Sequence, residues 1–174
     1  EKLFEHSWKL NIPPIGELEA YPNRDSVSYR DQYRLHDAKT ILRATLRYPH
    51  WCATWQAIKK LNLLDEHEEN FSGLTWQKFI ANRTGCSEEN LKPCVAKFLG
   101  VDETDEVMRR LEWMGIFKNE PLPLEKGTAL DLLLYNLENR AKYKEGERDM
   151  VVLKHEIIGE YPDGRKKKFE STLI

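Results

Sequence analysis

The spacing of hydrophobic positions changes twice along the chain, and each change marks a change in the predicted structure. Residues 8–26 mix short apolar runs with Pro and Gly, a pattern that predicts extended segments joined by turns. Residues 40–48 are rich in β-branched and aromatic side chains and stop at Pro49, which predicts a strand. From Trp51 to about Tyr143 the apolar positions recur every three to four residues, the period of amphipathic helices. After Gly146 the strand period of two returns.

The middle region is predicted to form five helices that make one compact helical lobe. Their predicted N-caps are Ser72 or Thr75, Ser87, and Asp102 or Thr104, and the glycines at 85, 100 and 115 are predicted to end them. The stripes predicted to face the core are Trp51, Trp55, Ile58 and Leu61; Trp76, Phe79 and Ile80; Leu91, Val95 and Phe98; Val107, Leu111 and Met114; and Leu130, Leu133, Leu134, Leu137 and Ala141.

The last part of the chain predicts a β-hairpin. Two strand-like segments, residues 149–158 and 168–174, flank a Pro-Asp-Gly turn at residues 162–164. The basic run at residues 165–168 is interpreted as a solvated turn rather than a nucleic-acid patch. The order of strands, helices and strands predicts an α+β fold in which residues 51–145 form an all-helical domain inserted between two parts, 1–50 and 146–174, of a sheet-containing domain.

Composition and hydrophobicity argue against two classes of partner. The sequence has 27 Lys plus Arg against 29 Asp plus Glu, so it creates no overall field that would attract nucleic acid or an anionic membrane. No apolar stretch reaches the roughly 18 to 20 residues of a membrane span. We therefore expect no nucleic-acid and no membrane partner, and we expect any bound anion to be met by local arginines.

The cysteines and the chain ends lead to three further expectations. Cys52, Cys86 and Cys94 are odd in number and form neither a Cys-x-x-Cys pair nor a cluster with histidines, which predicts reduced, buried thiols and no metal site. That usage, with no basic-then-apolar leader, fits a cytoplasmic protein. The chain opens without an initiator Met and stops within an apolar run, from which we expect a piece of a longer polypeptide.

Several catalytic motifs are absent from the sequence. The nine glycines never form Gly-x-Gly-x-x-Gly, so no dinucleotide-binding turn is encoded. There is also no Gly-x-Ser-x-Gly and no His-Glu-x-x-His, so hydrolase and zinc-enzyme hypotheses have no support. The histidines at 36, 50 and 155 are scattered singly, and no residue of the chain is assigned as catalytic.

Arginines in two segments of the chain stand where they can bind an anion. Arg24 lies in the turn-like segment 21–26, where it either pairs with a nearby acid on the surface or grips a carboxylate through two parallel hydrogen bonds. Along the strand predicted at 40–48, alternation places Arg43, Thr45 and Arg47 on one face. A polar strand face is either simply solvated or a binding surface, and both interpretations stay open at this point.

Five segments together resemble one family. They are Gly16–Ser26, Leu42–Pro49, Leu74–Trp76, Leu111–Gly115 and Gly146–Glu156, in the order and spacing found in the saccharopine dehydrogenases (NADP, L-glutamate-forming). The saccharopine half of bifunctional aminoadipic semialdehyde synthase carries the same landmarks. One such string would be a weak signal, whereas five in register over nearly the whole chain are specific.

The resemblance implies the substrate-binding portion of a three-domain oxidoreductase of lysine metabolism. It implies that 1–50 and 146–174 are parts of the mixed α/β substrate-binding domain, that NADP is bound mainly by a Rossmann domain absent from this chain, and that this chain alone is inactive. The residues that match the family's saccharopine contacts are Arg24, Thr45, Leu46 and Arg47. The sequence departs from the family at Ala44, where Gly is usual, and this alters how closely backbone approaches the ligand. A homodimer is an option that the resemblance leaves open.

Two alternatives belong to other classes of function. The first is a related dehydrogenase that acts on another amino-acid-derived imine, because a fold does not fix a substrate. The second is a helical protein-interaction module. An exposed patch of the tryptophans at 51, 55, 76 and 113 would favour the module, whereas buried tryptophans would argue against it.

Overall fold

The fold is α+β, as the sequence predicts. The structure is a computed structural model and describes residues 3–23 and 25–174. The chain divides into two compact units, Glu1–Lys142 and Tyr143–Ile174. The assignment of residues 1–50 and 146–174 to one domain around an inserted helical domain stays a prediction.

The first unit begins with a three-stranded antiparallel sheet. Its strands are β1 (Trp8–Ile12), β2 (Gly16–Pro22) and β3 (Ala44–Arg47), in the order β1-β2-β3. A short 3-10 helix, Leu3–Glu5, precedes β1, and a four-residue helix α1 (Tyr29–Gln32) lies between β2 and β3. The predicted extended segments at 8–26 are confirmed for β1 and β2. The strand predicted at 40–48 is shorter than expected, because only residues 44–47 pair with β2.

Helices make most of the rest of this unit. They are α2 (Trp51–Lys60), α3 (Trp76–Thr84), α4 (Leu91–Leu99), α5 (Glu106–Trp113) and α6 (Ala129–Arg140), with a 3-10 turn at Glu88–Asn90. Two short strands, β4 (Glu69–Asn70) and β5 (Lys126–Gly127), pair antiparallel. The helices enclose one hydrophobic core, whose fully buried members include Ile58, Leu61, Leu63, Phe71, Ile80, Val95, Met108, Leu111, Ile116 and Leu132. No helix in the described ranges is long and apolar enough to cross a membrane.

Most of the predicted helix caps are confirmed. Thr75 is the N-cap of α3 and accepts a hydrogen bond from the Lys78 backbone, and Gly85 and Gly100 end α3 and α4 in the left-handed conformation. Two predicted N-caps are wrong. Ser87 precedes the 3-10 turn, and Asn90 is the N-cap of α4. Asp105, rather than Asp102 or Thr104, is the N-cap of α5 and accepts from the Val107 backbone. Asp102 is used elsewhere: its carboxylate accepts the backbone and hydroxyl hydrogen bonds of Thr104.

Replacing Asp105 with alanine is expected to destabilise the fold by about 1 kcal/mol, because the first turn of α5 loses its side-chain acceptor. Glu103→Ala is the matched control, since it removes one exposed carboxylate from the same loop, and no hydrogen bond of the Glu103 side chain is seen among the described residues. Urea unfolding followed by circular dichroism measures both. Equal midpoints for the two variants would contradict the assignment of Asp105 as the cap.

The buried face of α6 differs from the predicted stripe. Ala129, Leu132, Leu133 and Asn136 are buried, whereas Leu134 is 46% exposed. Leu133 is buried as predicted, and Leu130 and Leu137 pack against the core, so the prediction is wrong for Leu134 and Ala141 and it left out Leu132 and Asn136. A polar residue is accommodated on the buried face because the Asn136 side-chain amide donates a hydrogen bond to the Met114 carbonyl at 2.9 Å.

The prediction of three reduced cysteines is wrong for two of them. Cys86 and Cys94 form a disulfide, and only Cys52 is a free, buried thiol. The two bonded residues are separated by 8 positions, and α4 brings their Cα atoms to 5.9 Å, within the range a disulfide needs. Spacing along the chain did not reveal this pairing, because it depends on how the loop before α4 folds back onto that helix.

The second unit contains the predicted β-hairpin, formed by β6 (Leu153–Glu160) and β7 (Lys166–Leu173). In this antiparallel register one face carries exposed Leu153, Ile157, Phe169 and Leu173. The other face is charged, with ion pairs from Lys154 to Glu170 and from Lys168 to Glu156. Hydrogen bonds from Lys154 and Lys168 lower the pKa of Glu170 to about 2.

Candidate functional site

Strand β3 places two of the predicted site residues on one face of the sheet. In the register of β2 with β3, Arg47 lies opposite Glu19 and Thr45 lies opposite Tyr21. Residues directly opposite each other in an antiparallel pair share a face, so all four side chains project to the same side. Leu46, which lies opposite Ala20, projects to the other side. The predicted alternation of Thr45 and Arg47 against Leu46 is confirmed.

Arg47 is exposed and lies at the end of β3, beside α2. Its guanidinium carbon lies over the Trp51 ring, 5.2 Å from the centroid, and its Nη1 donates to the Leu46 carbonyl at 2.8 Å. Among the described residues no carboxylate forms an ion pair with Arg47. Glu19, directly across the ladder, instead accepts a hydrogen bond from the Cys52 backbone N–H at 3.2 Å.

The position of Glu19 has an electrostatic reason. Cys52 lies in the first turn of α2, where backbone N–H groups lack partners within the helix and where the helix dipole favours a negative charge. Because the Glu19 carboxylate interacts with this helix N-terminus, it is less able to accept hydrogen bonds from the neighbouring Arg47 guanidinium. The sheet face therefore carries a cationic side chain whose remaining N–H donors are available to an anion from outside.

The turn from β3 into α2 is held by α5. Arg110 donates from Nη2 to the Pro49 carbonyl at 2.7 Å and from Nε to Glu106 at 3.2 Å. His50, the N-cap of α2, has a positive φ of 68°, and the Thr54 hydroxyl donates to its carbonyl at 2.7 Å. These contacts fix the direction in which the chain leaves β3, and so they fix the position of Arg47 relative to α2.

Arg24, the other predicted arginine, lies outside the described residues. Its neighbours in sequence contact the start of β3: the Asn23 backbone donates to the Arg43 carbonyl at 3.0 Å, and the Ser26 hydroxyl accepts from the Arg43 N–H at 2.9 Å. The Asp25 carboxylate accepts backbone hydrogen bonds from Val27 and Ser28. Backbone hydrogen bonds, chiefly that from Ser28, lower the pKa of Asp25. Residues on both sides of Arg24 are thus hydrogen-bonded to Arg43, directly before the strand that carries Thr45 and Arg47.

Arg43, which the alternation placed with Thr45 and Arg47, lies before the strand. Its guanidinium lies over the Tyr29 ring at 5.4 Å from the centroid, and it donates to the Tyr29 hydroxyl. Tyr29 itself belongs to α1, a helix that the sequence analysis did not predict. Arg43 is therefore part of the contact between β3 and the preceding segment.

Cys52 adjoins this face and is a free, buried thiol. Burial, with a smaller contribution from the nearby Glu19 carboxylate, raises the pKa of its thiol to about 11. A thiol with that pKa is protonated at neutral pH and is a poor nucleophile. Its prediction as a packing thiol agrees with its burial, at 1% exposure.

Trp51 and Glu19 were missed as site neighbours. The sequence analysis placed Trp51 on the core stripe of α2, and nothing in the spacing showed that its ring would lie against an arginine four positions earlier. Of the four tryptophans that bear on the interaction-module hypothesis, Trp76 is buried, Trp51 and Trp55 are half-buried, and only Trp113 is exposed. These tryptophans do not form the shared exposed patch which that hypothesis requires.

A separate groove lies on the other side of α2. It has a volume of about 540 Å³ and is lined by Phe4, Glu5, Ala53, Gln56, Ala57, Lys59, Lys60, Leu99, Val101 and Val107. Thr45, Leu46 and Arg47 do not line this groove. Among the described residues, no group of three or more His, Cys, Asp or Glu side chains is placed to hold a metal ion.

Comparison with known proteins identifies the family to which this chain belongs. The profile of the family described as the saccharopine dehydrogenase C-terminal domain matches residues 1–174. The chain therefore belongs to the saccharopine dehydrogenase family, as its sequence landmarks predicted.

Individual relatives agree with this assignment. Saccharopine dehydrogenase [NADP(+), L-glutamate-forming] of Schizosaccharomyces pombe is 32% identical over 183 residues, covering 99% of this chain and 40% of the relative. The mitochondrial alpha-aminoadipic semialdehyde synthase of Bos taurus is 33% identical over 170 residues, covering 92% of this chain and 18% of the relative. The chain thus spans less than half of either protein.

A solved structure matches the fold. The apo histidine-tagged saccharopine dehydrogenase (L-Glu forming) of Saccharomyces cerevisiae superposes with a TM-score of 0.85 at 29% sequence identity. The match covers 98% of this chain and 40% of that one. The similarity therefore includes the sheet with the candidate site and is not confined to the helices.

Proposed function

We propose that this chain provides the substrate-binding portion of an NADP-dependent oxidoreductase that interconverts saccharopine with glutamate plus aminoadipate semialdehyde in lysine metabolism. Saccharopine carries three carboxylates, so its binding site needs cationic groups with defined directions. The observation that carries the proposal is the surroundings of the Arg47 side chain. It stands on a polar sheet face without a carboxylate partner in the described part of the chain, while Glu19 is occupied by the N-terminus of α2.

Each proposed site residue has a separate task. Arg47 and Arg24 each hold one carboxylate through paired N–H donors, a geometry that lysine does not offer. Thr45, on the face of Arg47, presents a hydroxyl to the same ligand. Leu46 contributes its main chain, and its carbonyl already anchors the Arg47 guanidinium. Together these contacts orient the C–N bond at which hydride is transferred.

The residues of this chain do not fit a dinucleotide. The sequence contains no Gly-x-Gly-x-x-Gly, and a dinucleotide fold needs those glycines so that backbone can approach the pyrophosphate. We assign NADP binding to a Rossmann domain elsewhere in the polypeptide, and we expect the present chain alone to be inactive. Neither a homodimer nor a proton donor is assigned.

The cytoplasmic location stays a prediction. It rested partly on three reduced cysteines, two of which form the Cys86–Cys94 disulfide. The bovine relative, in contrast, is named as a mitochondrial protein.

The proposal is tested with the full-length polypeptide that carries this chain. We expect it to form NADPH from NADP⁺ when saccharopine is added, and we expect residues 1–174 alone, with folding checked by circular dichroism, to form none. Absorbance of NADPH follows both reactions. Turnover of another amino dicarboxylate with none of saccharopine would contradict the substrate, and NADP⁺ reduction by the isolated chain would contradict the assignment of the cofactor to another domain.

A further inference from the structure

The side chain of Arg47 is held on two sides. Its Nη1 donates to the Leu46 carbonyl at 2.8 Å, and its guanidinium lies over the Trp51 ring at 5.2 Å from the centroid. A guanidinium over an aromatic face is attracted by the negative charge density of the ring. Both contacts leave further N–H donors of the same group for a ligand, because guanidinium has five donors.

The Trp51 ring is fixed by other aromatic rings that lead back to the sheet. It lies 5.7 Å from Trp55, whose ring stacks on Phe4 at 6.1 Å. Phe4 meets Tyr21 edge to face at 5.4 Å, and Tyr21 lies opposite Thr45 in the ladder. The rings thus link α2, the 3-10 helix and β2 in one continuous series of contacts.

The indole N–H of Trp51 contributes little to this arrangement. Its Nε1 is buried and has no hydrogen-bond partner among the described residues. What Trp51 supplies to Arg47 is therefore its ring face. Phenylalanine retains such a face and breaks no hydrogen bond of the indole, whereas leucine removes the face.

We propose that Trp51 is the positioning residue for Arg47 in substrate binding. By holding the guanidinium over its ring before the ligand arrives, Trp51 reduces the side-chain freedom that would otherwise be lost when Arg47 binds a carboxylate. The role rests on the proposed function of Arg47. It concerns affinity for the multiply anionic substrate and not the hydride-transfer step.

Steady-state kinetics of the full-length polypeptide test this role. Trp51→Leu is expected to raise the KM for saccharopine about fivefold while kcat changes less than about twofold, and Trp51→Phe is expected to recover most of the loss. Trp113→Leu is the matched control, because Trp113 is 51% exposed on α5 and is remote in sequence from the face. If Trp51→Leu fails to fold, Trp51→Met carries the same prediction, since it fills similar space without a ring.

A double-mutant cycle separates positioning from a general structural effect. In the Arg47→Ala background, Trp51→Leu is expected to change the KM less than about twofold, because the group it positions is gone. Additive effects in the cycle, or a KM in Trp51→Leu equal to that of the unchanged protein, would overturn the role of Trp51 and leave that of Arg47 intact. No effect of Arg47→Ala itself would overturn both.

Discussion

Replacing Arg47 with alanine is expected to weaken saccharopine binding by the full-length polypeptide by about 2 kcal/mol, roughly thirtyfold in Kd. Hydrogen bonds from an ionised donor to an ionised acceptor contribute more to binding than neutral ones. The alanine removes both the positive charge and the paired N–H donors of the guanidinium. We do not expect the larger loss of a fully buried ion pair, because Arg47 is exposed and water screens the contact. Isothermal titration with saccharopine in the presence of NADP⁺ measures the loss.

Two controls make the result specific to the guanidinium of Arg47. Arg47→Lys retains the positive charge but not the paired donors, so its affinity is expected to fall between those of the unchanged protein and the alanine variant. Arg109→Ala removes an exposed guanidinium that pairs with Glu106 on α5, and it should leave the Kd unchanged. An Arg47→Ala protein that binds saccharopine as tightly as the unchanged one would remove this residue from the site.

Replacing Leu132 with alanine is expected to lower the free energy of unfolding by about 3 kcal/mol, while Leu134→Ala in the same helix costs less than about 1 kcal/mol. Leu132 is 0% exposed in the helical core, and its truncation removes apolar contacts and leaves a cavity. Leu134 is 46% exposed, so its truncation removes little buried surface. The two variants share the same chemistry, the same helix and nearly the same position in it.

Urea unfolding followed by tryptophan fluorescence compares the two leucine variants. The ranking is the informative quantity, because the stripe predicted from the sequence included Leu134 and left out Leu132. A larger loss for Leu134→Ala would support that original stripe and would contradict the orientation of α6.

Local signals gave correct predictions where a local cause decides the structure. Thr75 and Gly85 delimit α3 as expected, because an N-cap hydroxyl and a left-handed glycine act within one helical turn. The Pro-Asp-Gly turn between β6 and β7 was found for the same reason. Asp105 was missed because three neighbouring acceptors compete for one cap, and the competition is settled by where the preceding turn closes on Asp102.

Non-local contacts decided what the sequence pattern left ambiguous. Asn136 can face the core only because the Met114 carbonyl, 22 residues earlier, accepts its hydrogen bond. Cys86 and Cys94 pair because a loop folds onto α4, and Glu19 turns from Arg47 because α2 presents the N–H of Cys52. Asn136 and Glu19 depend on partners 22 and 33 residues away, and the two cysteines, although only 8 residues apart, depend on the path of the loop between them.

The sequence by itself determined the family, the succession of strands and helices, and the presence of Thr45 and Arg47 on one side of a strand. Those features follow from residue identity and from the periods of two and 3.6, which are properties of the chain alone. Only the tertiary structure decided which acids and rings surround Arg47, because these neighbours come from β2 and α2 and meet through packing. The charge of Arg47 is thus a property of the sequence, whereas its freedom from a carboxylate partner among the described residues is a property of the fold.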